Sequence, residues 1–315
     1  MSQPRQDVAL EEFFQWESES WVEVVSDMTT DEKTPFVPLE IVKSYFKADS
    51  SKKLDKILCE VFDSKFPPID PELILREHTA IFCILLRIGE GKYIEHFARY
   101  EELSDRRLPF DRNHPPAEFP SAEDDTTFLQ RFCDKQQMYC VPVFDDHMLH
   151  KHFGRLRLLP ITHKVPLGID GPGDRYAITV YGPHNRLRPA GSDKVRISRS
   201  LISKVVHELT SKTTNNPNAN TFVLKMFSTK VGEGLYTQEV NGFRSVKHAD
   251  SIIKFYGSYI HGDASNILLE YADMGTLEEY FKKESPPSRG VDIIKFWESL
   301  FQLTKGLKAI HSVRE

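Results

Sequence analysis

NTFVLKMF, residues 220–227, places a lysine inside a run of large apolar residues. Aromatic and β-branched residues in a short run of this kind predict a buried strand. Leaving an ammonium group unpaired in such surroundings costs on the order of several kcal/mol. We therefore expect Lys225 to lie close to an anionic side chain.

The next periodic segment, LYTQEVNGFRSVK at 235–247, contains a candidate partner. Its apolar residues recur at helical spacing, which predicts a helix with the stripe Tyr236, Val240, Phe243 and Val246. Glu239 lies on the same face as this stripe. We predict that Lys225 and Glu239 form a pair. The alternative is that Lys225 reaches solvent at the end of its strand while Glu239 lies at the rim of the stripe.

The composition excludes several classes of protein. The chain has 315 residues, 28% of them charged, and a net charge of -5, so we expect a globular protein that does not bind nucleic acid. The longest apolar run, IFCILL at 81–86, is too short to span a bilayer, so we expect no membrane partner. The start of the chain has no signal-peptide pattern, and the four cysteines lack metal-ligand spacing. These features predict an intracellular protein, cytoplasmic or nuclear, with free thiols.

The pattern of apolar residues divides the chain into a helical part and a part with strands. Residues 1–110 predict a helical N-terminal domain, which includes a helix over EEFFQWESESWVEVV, with Glu17 on its solvent face. Residues 111–125 are rich in proline and acid, which predicts a linker or surface loop. Residues 126–160 predict a connecting segment, in which FLQRF is a short helix and MYCVPVF and RLRLLPI are strands.

The remaining residues, 161–315, alternate strands with helices. RYAITVY at 175–181 predicts a strand, SLISKVVHEL at 200–209 a short helix, and TSKTTNNPNAN at 210–220 a mobile loop. After the Lys225 strand and the Glu239 helix, KHADSIIKFYGSYI predicts a turn and a strand, HGDAS a hairpin turn, and NILLEYA a further strand. TLEEYFKK then predicts a helix capped by Thr276, and VDIIKFWESLFQLTKGLKAIHS a long helix.

This order of elements resembles the N-terminal lobe of a protein kinase followed by the first long helix of its second lobe. The resemblance implies an α+β fold: a helical N-terminal region, a kinase-like N-lobe made of an antiparallel sheet and one helix, and the start of a helical C-lobe. An insertion would occupy about 185–220. The phrase FARYEELSDRRLPF and an LPI strand also resemble fungal protein-kinase-domain proteins that have a helical N-terminal region.

The resemblance assigns roles to individual residues. FVLK is similar to the family's Val-Ala-Ile-Lys strand, with Val223 at the alanine position and Lys225 as the lysine that holds the phosphates of ATP. Glu239 would then orient Lys225. LLEYADMGTL at 268–277 resembles the hinge that binds adenine. By that match Leu269 is the gatekeeper, and the backbones of Glu270 and Ala272 hydrogen-bond the adenine ring.

PLGIDGPGDRYAITVYGPH looks similar to the family's glycine-rich loop and the strand after it. Gly168, Gly171 and Gly173 would be its glycines, which let backbone N–H groups approach phosphate oxygens. Two residues depart from the pattern. Asp170 stands where a glycine is usual, and Arg175 replaces the small apolar residue that covers adenine. A second match, SRSLISKV at 198–205, has serines in place of the glycines, and an ordinary surface turn at 169–174 is a further alternative.

The family's catalytic aspartate and its magnesium-binding residues follow the long helix. This sequence ends at KGLKAIHSVRE, so we expect a truncated chain with no catalytic and no metal-binding residue. We also interpret DDHMLHKHF at 145–153 as a solvated segment, because no second ligand cluster accompanies it. The long helix is apolar almost all round, so we expect it to expose an apolar patch and to associate.

The function that the resemblance implies is ATP binding and, in a complete form, phosphoryl transfer to serine or threonine of a protein substrate. ATP is the expected cofactor, and magnesium is expected only with a complete C-lobe. The alternative is a non-catalytic, pseudokinase-like module that binds a nucleotide or a partner. Asp170 and Arg175 favour this alternative.

Overall fold

The structure is a computed structural model that describes residues 8–28, 30, 32–48, 52–120, 127–168, 173–187, 220–228, 230–246, 252–272, 278, 281–282 and 285–312. The chain forms two compact units. The first consists of Met1–Pro142 with Leu156–Leu159, and the second of Val143–Arg155 with Pro160–Glu315. Helices and sheets occur together, so the fold class is α+β.

The first unit is mostly helical. Its helices are α1 (Val8–Glu19), α2 (Leu39–Lys47), α3 (Lys52–Phe62), α4 (Pro71–Glu77), α5 (Thr79–Arg87), α6 (Ile94–Phe97) and α7 (Phe128–Gln136). Turns of 3-10 helix cover Gly91–Tyr93, Glu101–Leu103 and Asp105–Arg107. Strands β1 (Val22–Val25) and β2 (Lys33–Phe36) pair with each other in antiparallel fashion. The short helix predicted from FLQRF is confirmed as α7.

Helix α5 lies inside the core of the first unit, because every residue from Thr79 to Leu86 is buried. A helix that is apolar all round is stable only when other elements cover it. Its N-terminal end is held by a residue distant in sequence: Asp105 accepts hydrogen bonds from the N–H groups of Ala80 and Ile81, each at 3.0 Å. Burial raises the pKa of Asp105 to about 6, although these bonds favour its charged form.

The predicted helix over EEFFQWESESWVEVV is wrong beyond Glu19. There the helix ends, and the Ser20 N–H donates to the carbonyl oxygens of Trp16 and Glu17. The valines of Val22–Val25 favour an extended chain, and β2 supplies the pairing that makes this segment a strand. Glu17 is also not on a solvent face. It is fully buried, accepts a hydrogen bond from the Tyr139 hydroxyl and pairs with Arg87.

The predicted linker at 111–125 also needs correction. Residues 111–115 are exposed, as a surface loop would be. Phe110, however, is buried, exchanges hydrogen bonds of 2.8 and 2.9 Å with the Gln136 side chain, and stacks on Phe132. Phe119 packs edge-on against the same rings. The first unit therefore continues past 110, and the boundary falls after Pro142 instead of within 111–125.

The second unit is built on one sheet. Its strands are β3 (Lys151–Phe153), β4 (Ile161–Leu167), β5 (Asp174–Val180), β6 (Thr221–Phe227), β7 (Phe255–His261) and β8 (Ala264–Glu270), in the spatial order β3-β7-β8-β6-β5-β4. Only the pairing of β3 with β7 is parallel among these described strands. Its helices are α8 (Lys230–Ser245) and α9 (Gly290–His311), and Gly182–His184 forms a 3-10 turn.

The strands predicted from RYAITVY, from the Lys225 segment, from KHADSIIKFYGSYI and from NILLEYA are confirmed as β5, β6, β7 and β8. The predicted hairpin turn joins β7 to β8, with Gly262 at a φ of 57°. The strands predicted at 138–144 and 155–161 are wrong, except that Ile161 begins β4. Tyr139, Cys140 and Leu158 are buried in the first unit, so the apolar content of these segments reflects packing without strand pairing.

Several predicted features lie outside the described residues. They are the helix at 200–209, the loop at 210–219, the serine-containing match at 198–205, Asp170, Gly171 and Thr276. The long helix predicted near the end of the chain is confirmed as α9. It exposes large apolar side chains, with Trp297 at 57% and Phe301 at 64% exposure, as the sequence predicts. Among the helices that the structure describes, none combines the length and apolar character needed to cross a membrane.

Candidate functional site

Lys225 lies on the half-buried face of the sheet. Along β6 the side chains of Phe222, Leu224 and Met226 are buried, whereas Val223 and Lys225 are half-buried. Successive side chains of a strand point to opposite faces. Lys225 therefore shares a face with Val223, as the match to the Val-Ala-Ile-Lys strand requires.

The predicted pairing of Lys225 with Glu239 is present. The Nζ atom of Lys225 donates a hydrogen bond to Oε2 of Glu239 over 2.5 Å. The two side chains are 15% and 26% exposed, so the pair is shielded from bulk water without being sealed from it. The alternative, in which Lys225 reaches solvent at the end of its strand, does not describe the structure.

The packing of α8 explains why Glu239 reaches the strand. Gly232 lets the start of the helix approach closely, since a Cβ atom there would lie 3.0 Å from Cβ of Phe227. Tyr236 and Val240 are buried, and the ring of Tyr236 packs edge-on against Phe227. Near the other end, Phe243 stacks on Phe255 with the ring centroids 5.5 Å apart. Glu239 lies between these anchors.

Two rows of side chains cross the sheet on this face. Residues that are directly opposite in adjacent strands lie side by side on the same face. The first row, which we call the apolar row, consists of Val165 on β4, Ala177 on β5, Val223 on β6 and Leu269 on β8. The second, which we call the charged row, lies two residues along each strand and consists of Leu167, Arg175, Lys225 and Ile267.

The two rows differ in their chemistry. The apolar row is flat and half-buried, and it is open at the β4 edge, where Val165 is 59% exposed. Such a surface can pack against a planar aromatic ring. The charged row beside it presents an ammonium and a guanidinium, which bind phosphate oxygens.

The predicted glycine-rich segment joins β4 to β5. Gly173 has a φ of 85°, and a Cβ atom there would lie only 2.9 Å from the carbonyl oxygen of Met226, so this position requires glycine. Gly168 is different, because a Cβ atom there would meet no other atom within 4 Å. The close approach of the chain to β6 at residue 173 thus depends on glycine.

Arg175 occupies the β5 position opposite Lys225, where the resemblance implies a small apolar residue. Its Nη2 atom donates a hydrogen bond of 3.1 Å to the carbonyl oxygen of Gly168, at the end of β4. The long side chain thus runs along the charged row toward the turn. The position of Arg175 opposite Lys225 depends on the register of β5 against β6, which composition does not specify.

The predicted hinge residues lie on β8 and just beyond it. Leu269 lies opposite Val223 and packs against the buried cluster that contains Tyr236 and Val240. The N–H of Glu270 donates to the carbonyl oxygen of Lys254 over 2.8 Å, so the backbone of Glu270 can offer a ligand only its carbonyl oxygen. The Glu270 carboxylate accepts from the Lys254 N–H over 3.2 Å. Ala272, just beyond β8, is exposed. The sequence did not single out Lys254.

The segment DDHMLHKHF contains an ion pair, in which Lys151 Nζ lies 3.2 Å from Oδ1 of Asp145. The side chain of His147 is 82% exposed and lies beside Asp146. Across the described residues, no group of three His, Cys, Asp or Glu side chains is placed to hold a metal ion. Cys59, Cys83, Cys133 and Cys140 are free.

No protein-family model matches the chain. A search of curated proteins finds no match either. A function for this chain therefore rests on its own residues and their geometry.

Proposed function

We propose that the second unit is a nucleotide-binding lobe of protein-kinase type, and that its ligand is ATP. One observation carries the proposal: the ion pair between Lys225 on β6 and Glu239 on the following helix. In protein kinases the phosphate-binding lysine lies on the third strand and pairs with a glutamate of the next helix. Here β6 is the third strand of the series β4, β5, β6, and α8 directly follows it.

The arrangement of the sheet supports the same proposal. Strands β4, β5, β6, β8 and β7 form an antiparallel series, and α8 lies in the chain between β6 and β7. Gly173, just before β5, lies close to the end of β6. Gly173 and Lys225, for which the resemblance implies phosphate contacts, therefore lie toward the same end of the paired strands β5 and β6.

Each row has a role in this proposal. In this proposal the adenine ring packs on the apolar row, with Leu269 as gatekeeper. Its amino group donates a hydrogen bond to the Glu270 carbonyl oxygen, and the Ala272 backbone makes a second hydrogen bond to the ring. Lys225 binds the phosphates and Glu239 orients Lys225. By the resemblance, the backbone N–H groups at Gly168, Gly171 and Gly173 contact the phosphate oxygens. Phosphoryl transfer to a protein serine or threonine belongs to a form that also carries the catalytic and magnesium-binding motifs.

A second candidate is a non-catalytic module that binds a nucleotide or a partner. Arg175 favours it, because a guanidinium stands in the charged row where a small side chain would cover adenine. Sequencing of the transcript distinguishes the two candidates, because only a kinase requires catalytic and metal-binding aspartates encoded after Glu315.

The experiment is an ATP titration by calorimetry on the unmodified protein, Lys225→Ala and Lys164→Ala. Lys164 is the control, since it precedes Val165 on β4 and lies on the opposite face of the sheet. Loss of a charged hydrogen bond predicts at least about a tenfold weaker affinity for Lys225→Ala, with Lys164→Ala unchanged. Equal affinities of all three proteins, with circular dichroism showing that all are folded, would refute the proposal.

A further inference from the structure

We propose that the first unit pairs with a second copy of itself, and that Phe66 of each copy inserts into a groove between α1 and α3 of the other. The inference goes beyond the proposed function and does not depend on it, because the residues of both surfaces belong to the helical unit.

Phe66 is the first observation. Its side chain is 89% exposed, more than that of any other large apolar residue that the structure describes. The loop that carries it, residues 63–68, is nevertheless held by hydrogen bonds. The Phe66 N–H donates to Oγ of Ser64 over 3.1 Å, and the Ser64 N–H donates to the Cys59 carbonyl oxygen over 3.0 Å. Pro67 and Pro68 fix the φ angles that follow. An aromatic side chain on a rigid loop loses little entropy on binding, so it can anchor an interface.

The groove between α1 and α3 is the second observation. Its volume is about 450 Å³, whereas a cavity of roughly 150 Å³ can hold a benzene molecule. Its apolar wall is formed by Val8, Ala9 and Cys59, and its charged rim by Glu12, Asp55 and Lys56. The Sγ atom of Cys59 lies 3.8 Å from the carbonyl oxygen of Lys65, so the groove adjoins the loop that carries Phe66.

Symmetry and charge select a second copy as the occupant. Because one surface carries both an aromatic anchor and a groove that can receive it, two copies can exchange these contacts about a two-fold axis. Lys65 is exposed beside Phe66, and the rim of the groove carries the exposed carboxylates of Glu12 and Asp55. When Phe66 enters the other copy's groove, Lys65 therefore meets side chains of opposite charge.

The first test is a photocrosslink on the full chain, with benzoylphenylalanine in place of Phe66. Equal amounts of unlabelled and ¹⁵N-labelled protein are mixed and irradiated, and the crosslinked peptides are identified by mass spectrometry. We expect residue 66 of one isotopic form to be joined to α1 or α3 peptides of the other form. Crosslinks confined to single copies, or crosslinks between copies that miss α1 and α3, overturn the proposal.

Sedimentation equilibrium tests the energetic role of Phe66. Phe66→Ala should raise the dissociation constant of the dimer at least about tenfold. Leu156→Ala is the matched control, because Leu156 also lies in the first unit and is 76% exposed, and it should leave the constant unchanged. The same series in a Trp297→Glu background removes association through the apolar surface of α9. Equal constants for Phe66→Ala and the unmodified chain, or an unmodified chain that stays monomeric, overturn the proposal.

A charge exchange tests the register of the contact. Glu12→Lys/Asp55→Lys places like charges opposite Lys65 and should weaken the dimer. Adding Lys65→Glu to that variant restores the attraction, so the dimer should regain affinity. These three side chains are exposed, and circular dichroism checks that each variant is folded. Failure of Lys65→Glu to restore any affinity shows that the loop does not meet this groove.

Discussion

Neutralising Lys225 should weaken the contact between β6 and α8 by an amount that the geometry sets. Exposed ion pairs contribute about 0.2–1 kcal/mol, whereas breaking a fully buried pair costs about 3–5 kcal/mol. The Lys225 and Glu239 side chains are 15% and 26% exposed, which places this pair between the two limits. Because Glu239 can still turn toward water when left alone, we expect Lys225→Met to cost about 2 kcal/mol.

A double-mutant cycle isolates the pair from other effects of each substitution. The proteins are Lys225→Met, Glu239→Gln and the double variant, and the readout is urea-dependent hydrogen exchange in peptides from β6 and α8. We expect a coupling energy of about 1.5 kcal/mol, because the residues are in direct contact. Lys164→Met, on the opposite face, should change stability by less than about 0.5 kcal/mol. If the losses of stability in the two single variants simply add up in the double variant, the two charges do not hold the helix against the strand.

Two further predictions concern the turn and the first unit. Gly173→Ala should lower the unfolding free energy by about 1–2 kcal/mol, because it combines a left-handed backbone with a close approach to Met226, while Gly168→Ala should be nearly neutral; equal costs in urea unfolding would contradict this. Burial raises the pKa of Asp105 to about 6 from 3.8. The native carboxyl therefore takes up its proton at a higher pH than the unfolded chain does. Lowering the pH from 7 to 4.5 should then stabilise the protein by about 2 kcal/mol relative to Asp105→Asn, and a difference that does not vary with pH in denaturant titrations would count against it.

The sequence predicts the second unit better than the first, because the decisive signals there are local. Opposite charges within two successive apolar stripes are sufficient to predict the pair of Lys225 and Glu239. The position of Arg175 opposite Lys225 depends on strand register, which no local pattern specifies when a strand partner lies far along the chain.

In the first unit the misleading segments owe their structure to distant contacts. Val22–Val25 continues the apolar spacing of α1, and its pairing with β2 turns the extended tendency of its valines into a strand. Glu17 looks like a solvent-facing glutamate until Tyr139 and Arg87 are brought beside it. Asp105 caps α5 from another part of the chain, so no capping pattern near Thr79 could reveal it.

The parallel pairing of β3 with β7 has a consequence for synthesis on the ribosome. Lys151 pairs with Tyr259, a separation of 108 positions (259 minus 151). Closing so long a segment costs entropy and slows folding. Strand β3 is synthesised before β4, β5, β6 and β7, so it has no partner until β7 has been made. The β3 segment therefore stays unpaired for as long as translation of the intervening residues takes, and during that time chaperones that bind nascent chains can bind it.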